Sequence, residues 1–211
     1  MDKKKFLVVS DLDDTLFNTV SEALQLVYEK TGTLIDFQDI TSYDIAAIAA
    51  PIIGLPLSKT RQFFQEHIWN NPETYRRSRP DYGVWYALKS LQKRNDIEIK
   101  FLTSRPQHLA ELTRSMVDDV GFPDEEIIFG SMNEKASIIS QLDAEGDYDK
   151  VFLLDDCSDI EMEVYQTGTL FLGMMKPWCN CGFEGRGLLG IVLDEILAGE
   201  IYQDCPVIDH Y

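Results

Sequence analysis

The segment Phe6-Leu7-Val8-Val9-Ser10-Asp11-Leu12-Asp13-Asp14-Thr15-Leu16 constrains the fold of this chain more than any other. An unbroken apolar run without polar alternation is the pattern of a strand covered on both faces, as in a parallel sheet. The run stops abruptly at three carboxylates, so Asp11 and Asp13 leave the strand's C-terminal end in one loop. In open α/β sheets that end is where ligands bind. Carboxylates held this close repel one another and need compensating positive charge. A divalent cation meets that need, and Mg²⁺ takes a few carboxylates together with water and substrate phosphate.

The segment Thr19 to Lys30 reads as a helix, with Val20, Ala23, Leu24 and Val27 at helical spacing and Gly32 at its end. From about Thr33 to Pro80 no strand alternation occurs. This stretch contains Ile-Ala-Ala-Ile-Ala-Ala, breaks at Pro51 and Pro56, and a helical pattern from Ser58 to Trp69 with Ser58 as N-cap. Its aromatics Phe63, Phe64, Trp69 and Tyr75 form a small core or wall a ligand site. After Asp81 the pattern alternates. Helices are expected over residues 82–93 (Trp85, Leu88 and Leu91 inward), 109–120 and 134–142, and strands over 97–102, 127–129, 150–154 and 169–172. A last apolar helix is expected over about 188–197. Such alternation implies a doubly wound parallel, Rossmann-like α/β sheet with helices on both faces and right-handed crossovers. The expected organisation is a core from residues 1–19 and 81–211, with a small, mostly helical insertion over 20–80.

A chain of 211 residues suits one core with a small insertion. Its net charge of −17 disfavours polyanionic partners, so neither a nucleic-acid polymer nor an anionic membrane is expected, despite a local basic patch at Arg76, Arg77 and Arg79. No apolar stretch approaches the ~20 residues of a membrane span. Met1-Asp2-Lys3-Lys4-Lys5 precedes no long apolar leader region. Of the four cysteines, Cys157, Cys179, Cys181 and Cys205, the pair Cys179-x-Cys181 lacks zinc-knuckle spacing and a second pair. Free thiols and a cytoplasmic location are expected.

Three of the expected strand ends carry polar residues. The first carries Asp11 and Asp13, the second Thr103 and Ser104, and the fourth Asp155 and Asp156 with Asp159 nearby; Lys135 opens a helix between them. In this order Asp11-Leu-Asp13-Asp-Thr15, Phe-Leu-Thr103, Lys135 and Leu-Leu-Asp155-Asp156 resemble the four motifs of the haloacid dehalogenase-like superfamily, in its phosphatase branch.

The resemblance implies a Mg²⁺-dependent phosphomonoester hydrolase working through an aspartyl-phosphate on a small phosphorylated substrate. Asp11 would be the nucleophile, and Asp13 the acid for the leaving alcohol and the base for water. Thr103 would donate to a phosphate oxygen, although the Ser104 hydroxyl can face it instead. Lys135 would offset the charge on Asp11 and the phosphoryl group. Asp156, helped by Asp155, would hold Mg²⁺ with Asp11 and the main-chain carbonyl of Asp13. Asp159 either ligates through water or caps the following helix, and Arg105 either contacts substrate or pairs with a surface carboxylate. The presence of Asp13 favours phosphate esters over halide or phosphonate substrates, whose hydrolases in this superfamily lack that acid.

Two segments resemble the deoxyribonucleotidase-like branch: Thr41-Ser42-Tyr43-Asp44, and Lys176-Pro177-Trp178-Cys179-Asn180, which carries an additional Cys179. Cys157 stands where that branch often has Arg. A 5'-nucleotidase acting on (deoxy)nucleoside monophosphates is thus one expectation. Phosphatases of sugar phosphates or of nucleic-acid ends, and a non-catalytic phospho-ligand-binding domain of the same fold, are the alternatives; the oligomeric state is open.

Overall fold

In the computed structural model, which describes residues 6–146, 148–179, 190–194 and 196, the N-terminal apolar run forms β1 (Phe6–Ser10), the central strand of a parallel sheet. Its neighbours are β2 (Ile97–Thr103) and β4 (Lys150–Asp155), while β3 (Glu126–Phe129) and β5 (Leu170–Gly173) lie at the edges. The order is β3-β2-β1-β4-β5, every pair is parallel, and Val8 sits between Ile99 and Phe152. This is the doubly wound arrangement that the alternating pattern implies.

Between β1 and β2 the chain first forms a helical insertion. It comprises α1 (Thr19–Thr31), α2 (Ile45–Ile53), α3 (Leu57–Phe64) running into a π-helical turn (Gln65–Trp69), and α4 (Pro72–Arg76). These helices bury their own apolar cluster, which includes Leu24, Val27, Ile40, Ala49, Phe64 and Ile68. Trp178 and Cys179, from the segment after β5, complete it. Phe64 is core and Phe63 packs on it edge to face, whereas Trp69 and Tyr75 line a cavity. The insertion's aromatics thus divide between the two expected roles.

The remaining helices are α5 (Tyr82–Leu91), α6 (Ala110–Asp119), α7 (Lys135–Gly146) and α8 (Glu161–Tyr165). Successive strand residues point to opposite faces. Phe6 and Val8, with Ile99, Phe101, Phe152 and Leu154, meet α5 and α6. Leu7 and Val9, with Leu102, Val151 and Leu153, meet α7 and α8. Covering β1 on both faces explains why its sequence shows no polar alternation.

Several boundaries shift. The helix expected from Ser58 starts at Leu57, because Pro56 presets the backbone (φ −57°) and its carbonyl accepts from Thr60 N at 3.0 Å. Strands β2 and β4 each extend one residue further, to Thr103 and Asp155, so polar groups end the ladders themselves. The fifth strand runs 170–173, and the helix expected over 134–142 continues to Gly146. Trp85 is only partly buried; its indole donates to Val120 O at 2.8 Å. Residues 190–194 are helical, while the rest of the expected last helix, like Cys181 and Cys205, lies largely outside the described residues. Among the described residues no helix is long and apolar enough to cross a membrane.

Phe101, fully buried at the centre of β2, packs edge to face on Phe122 at 5.4 Å between ring centroids. Phe101→Ala is expected to cost about 3–5 kcal/mol, read as a lower urea midpoint at unchanged slope.

Candidate active site

The loop after β1 is built as a tight turn. Asp11 N donates to Leu154 O at 2.8 Å, which extends the ladder by one residue. Phe17 N then donates to Leu12 O at 2.8 Å and Asp14 N to Phe17 O at 2.6 Å. The turn needs a left-handed residue, supplied by Asp14 (φ 57°), a type that tolerates this region better than most. The buried Asp14 carboxylate accepts from Val20 N at 3.1 Å, in the first turn of α1. It thereby satisfies a donor that the helix cannot pair internally. Asp13 is left partly exposed, accepting from Thr19 Oγ1 at 2.6 Å.

Lys135 begins α7, where the positive end of the helix opposes a cation. It is nonetheless 1% exposed, and its ammonium donates to Asp11 Oδ1 at 2.8 Å and Asp155 Oδ2 at 2.6 Å. Burial works against its charge, but Asp11 and Asp155 outweigh burial and raise its pKa well above the ordinary lysine value. Ahead of it, Glu134 accepts from Ser131 N (2.8 Å) and Oγ (2.6 Å), fixing the turn that delivers Lys135. Asp155 Oδ1 accepts from Cys157 N at 2.9 Å, so both Asp155 oxygens are engaged.

Beside this pair lies Asp156, whose Oδ2 accepts from Trp178 Nε1 at 2.7 Å. Asp11, Asp155 and Asp156 each bring a carboxylate oxygen to within 4.8 Å of the others, and all three are buried. Burial, then the neighbouring carboxylates, push Asp11 well above the ordinary aspartate range, with Lys135 opposing. Asp156 is raised in the same way, first by burial and then by Asp155 and Asp14.

Above the cluster is a cavity of about 270 Å³. Asp13, Ser104, Arg105 and Asp156 line its core side, and Tyr43, Trp69 and Tyr75 of the insertion line the other. Thr103 is fully buried, and its Oγ1 accepts from Arg105 N at 3.2 Å. Arg105 pairs with Asp13 rather than with a surface carboxylate, its Nη2 lying 2.8 Å from Asp13 Oδ1. Asp159 is exposed in the short helix after β4.

No protein-family model and no curated protein sequence matches the chain. Solved structures do. A haloacid dehalogenase-like protein from Agrobacterium tumefaciens aligns with TM-score 0.61 and 15% identity, over 92% of this chain and 100% of that one. A predicted phosphoglycolate phosphatase from Haemophilus somnus aligns with TM-score 0.58 and 14% identity, over 91% and 99%. A putative hydrolase from Bacillus subtilis, bound to magnesium, aligns with TM-score 0.56 and 13% identity, over 91% and 100%. The chain has the haloacid dehalogenase-like fold.

Within the haloacid dehalogenase-like fold of this chain, the carboxylates at the strand ends outnumber the cations that touch them. Their donor set is oxygen only, which suits a hard cation such as Mg²⁺. The structure thus brings Asp11, Lys135, Asp155 and Asp156 into contact, and Asp13, Ser104 and Arg105 to one cavity wall. Two participants have no assigned role in the sequence. Asp14 was passed over as the third acid of its motif, although a third adjacent carboxylate was itself a signal. Thr19 gave none, because its bond to Asp13 depends on the turn. Trp178, expected as a core residue, is core, and it also bonds Asp156. In the Thr41-Ser42-Tyr43-Asp44 segment, Asp44 caps α2 through Ala47 N at 3.2 Å and Tyr43 reaches the cavity.

Burial, opposed by Lys176, raises the Asp14 pKa to about 7, against ~3.9 for an unfolded Asp. Between those values the folded chain keeps a proton that the unfolded chain has released. Raising pH across that window therefore lowers stability, at up to about 1.4 kcal/mol per pH unit for this group. Asp14→Asn removes that contribution. Calorimetry of the metal-free protein is expected to show stability falling less steeply from about pH 4 to 7 in the variant than in the wild type.

Proposed function

We propose that this chain is a phosphomonoester hydrolase of small phosphorylated metabolites, acting through an aspartyl-phosphate on Asp11. The observation that carries the reading is the setting of Asp11: a buried carboxylate at a strand end, bonded by Lys135, grouped with Asp156, and next to a cavity lined by Asp13. A carboxylate attacks phosphorus only when it is aimed and its charge is offset. Two solved structures of the same fold agree with the reading, the predicted phosphoglycolate phosphatase and the magnesium-bound hydrolase.

In the reaction, an Asp11 oxygen bonds to phosphorus as the bond to the leaving oxygen breaks. Asp13 gives that oxygen its proton, and then takes one from the water that hydrolyses the phosphoryl-aspartate. Lys135 offsets charge on Asp11 and the phosphoryl group, and the Thr103 or Ser104 hydroxyl donates to a phosphate oxygen. Asp11, Asp156 and the Asp13 carbonyl would hold Mg²⁺, which supplies charge stabilisation when bound. Asp155 serves mainly to hold Lys135, since both of its oxygens are already engaged.

Residues 20–80 act as a cap that selects the substrate. Its Tyr43, Trp69 and Tyr75 offer aromatic faces to the cavity, which supports a nucleoside monophosphate as substrate. A base stacked on such a wall gains ~1–3 kcal/mol.

Release of phosphate from p-nitrophenyl phosphate is expected to require Mg²⁺ and to be abolished by chelation. Asp11→Asn is expected to fold and to retain less than about a tenth of wild-type turnover, since an amide is a far weaker nucleophile. Turnover above that level would remove Asp11 from the nucleophile's role.

Substrate choice is tested with a panel of nucleoside monophosphates and sugar phosphates. Trp69→Ala is expected to raise KM for nucleotides roughly tenfold and to leave p-nitrophenyl phosphate unchanged within about twofold. Faster hydrolysis of every sugar phosphate than of any nucleotide would reject the nucleotidase reading while leaving the phosphatase reading intact.

A further inference from the structure

The phosphatase reading gives Asp13 its proton-transfer role but leaves the residue bonded to it without one. Arg105 carries a guanidinium whose side chain is 0% exposed. Its Nε lies 3.1 Å from Asp13 Oδ1 and 3.0 Å from Oδ2, its Nη2 lies 2.8 Å from Oδ1, and its Nη1 approaches Met116 Sδ at 3.5 Å. The guanidinium carbon lies over two aromatic rings, 4.6 Å from the Tyr75 ring centroid and 5.4 Å from that of Phe17. Phe17 belongs to the turn after β1, and Tyr75 to α4 of the insertion.

Each contact fixes a degree of freedom. A planar fork against a carboxylate sets the rotation of the carboxylate, and ring faces set the plane of the fork. Burying a guanidinium carries a large desolvation cost, so an arrangement this enclosed is poorly suited to a mere surface ion pair. Although Arg105 lies at the cavity wall, its Nε and Nη2 are already committed to Asp13, which leaves it poorly placed to hold the substrate's phosphate. Asp13, by contrast, is partly exposed to the cavity.

We propose that Arg105 is a positioning residue that aims Asp13 at the leaving oxygen, and that Tyr75 holds Arg105 in place from the insertion. The insertion thereby sets the aim of the acid–base carboxylate as well as walling the cavity. The proposal rests on the phosphatase reading, in which Asp13 transfers the proton.

The test compares two esters, each with saturating Mg²⁺: p-nitrophenyl phosphate, whose leaving group needs little protonation, and glycerol phosphate, whose leaving group needs much. For Arg105→Met, kcat on glycerol phosphate is expected to fall about tenfold or more, and on p-nitrophenyl phosphate by less than about threefold. KM for both should stay within about threefold of wild type. Arg105→Lys keeps the charge without the fork and is expected to stay within about threefold of Arg105→Met. In an Asp13→Asn background, Arg105→Met is expected to add no further loss, because the two residues act as a unit. Tyr75→Leu keeps the Arg105–Asp13 pair but removes the ring that steadies it, and is expected to show the same bias between esters, more weakly, even if the Arg105 variants fold poorly. Equal losses on both esters, a loss confined to KM, full recovery by Arg105→Lys, or an additive loss in the Asp13→Asn background would each overturn the proposal while leaving the phosphatase reading standing. A wild-type protein that turns over neither ester would overturn both.

Discussion

Lys135 places a buried ammonium between Asp11 and Asp155, and the geometry at the top of the sheet depends on that contact. It joins the ends of β1 and β4 to the start of α7, although β1 lies more than a hundred residues before the other two in the chain. The three groups need one another: the ammonium offsets the charge of two buried carboxylates, and it sits where the helix dipole opposes it. Removing one partner would leave the others charged and unpaired, or force a proton change. Even so, the balance is incomplete. Asp156 and Asp14 add negative charge nearby, and both are pushed upward in pKa. The strand-end carboxylates are thus only partly offset by Lys135, which suits the oxygen-only cluster to a hard cation.

A second level of organisation ties this core to the insertion. Trp178 belongs to the insertion's apolar cluster, meets Phe37 at 5.5 Å between ring centroids, and gives its indole N–H to Asp156. Arg105 bonds Asp13 and stacks on Tyr75. Each of these side chains has one end in a carboxylate of the site and the other in the aromatic packing of the insertion. A shift of the insertion therefore changes the surroundings of Asp13 and Asp156 together, without moving the strands that carry Asp11 and Asp155. The sheet positions Asp11 and Asp155, and side chains that reach across tie Asp13 and Asp156 to the insertion's aromatic packing.

What could be read from sequence divides along the same line. β1 was legible because burial on both faces leaves a distinctive unbroken apolar run, and the alternation of later elements fixed a parallel sheet. Asp11, Asp13, Asp155 and Asp156 were legible because strand ends in such a sheet converge, and Lys135 through its place in the order of the resembling motifs. The contacts that orient those residues were not. Arg105 lies 92 residues from Asp13, and a periodic pattern carries no information about which carboxylate a distant guanidinium will meet. Trp178 is as apolar as any core residue, and only its one polar atom distinguishes packing from a bond to Asp156. Strand ends were misjudged by a residue at Thr103 and Asp155 because a polar side chain can end a ladder as well as follow one.

The same division explains how solved structures with 13–15% identity can align over more than nine-tenths of this chain. A doubly wound sheet asks only for apolar residues of about the right size on both faces of each strand, a condition that many sequences meet. Convergence of the strand ends is then a matter of topology, and a handful of carboxylates and one lysine suffice to occupy it. Selectivity has no such redundancy, because it depends on which side chains the insertion presents to the cavity. In this chain those are Tyr43, Trp69 and Tyr75, and Tyr75 also lies against the arginine that pairs with Asp13. On the proposed reading, recognition and proton transfer share Tyr75. A substitution made there to change the substrate would also disturb the aim of the acid, which limits how freely this insertion can be retuned without loss of turnover.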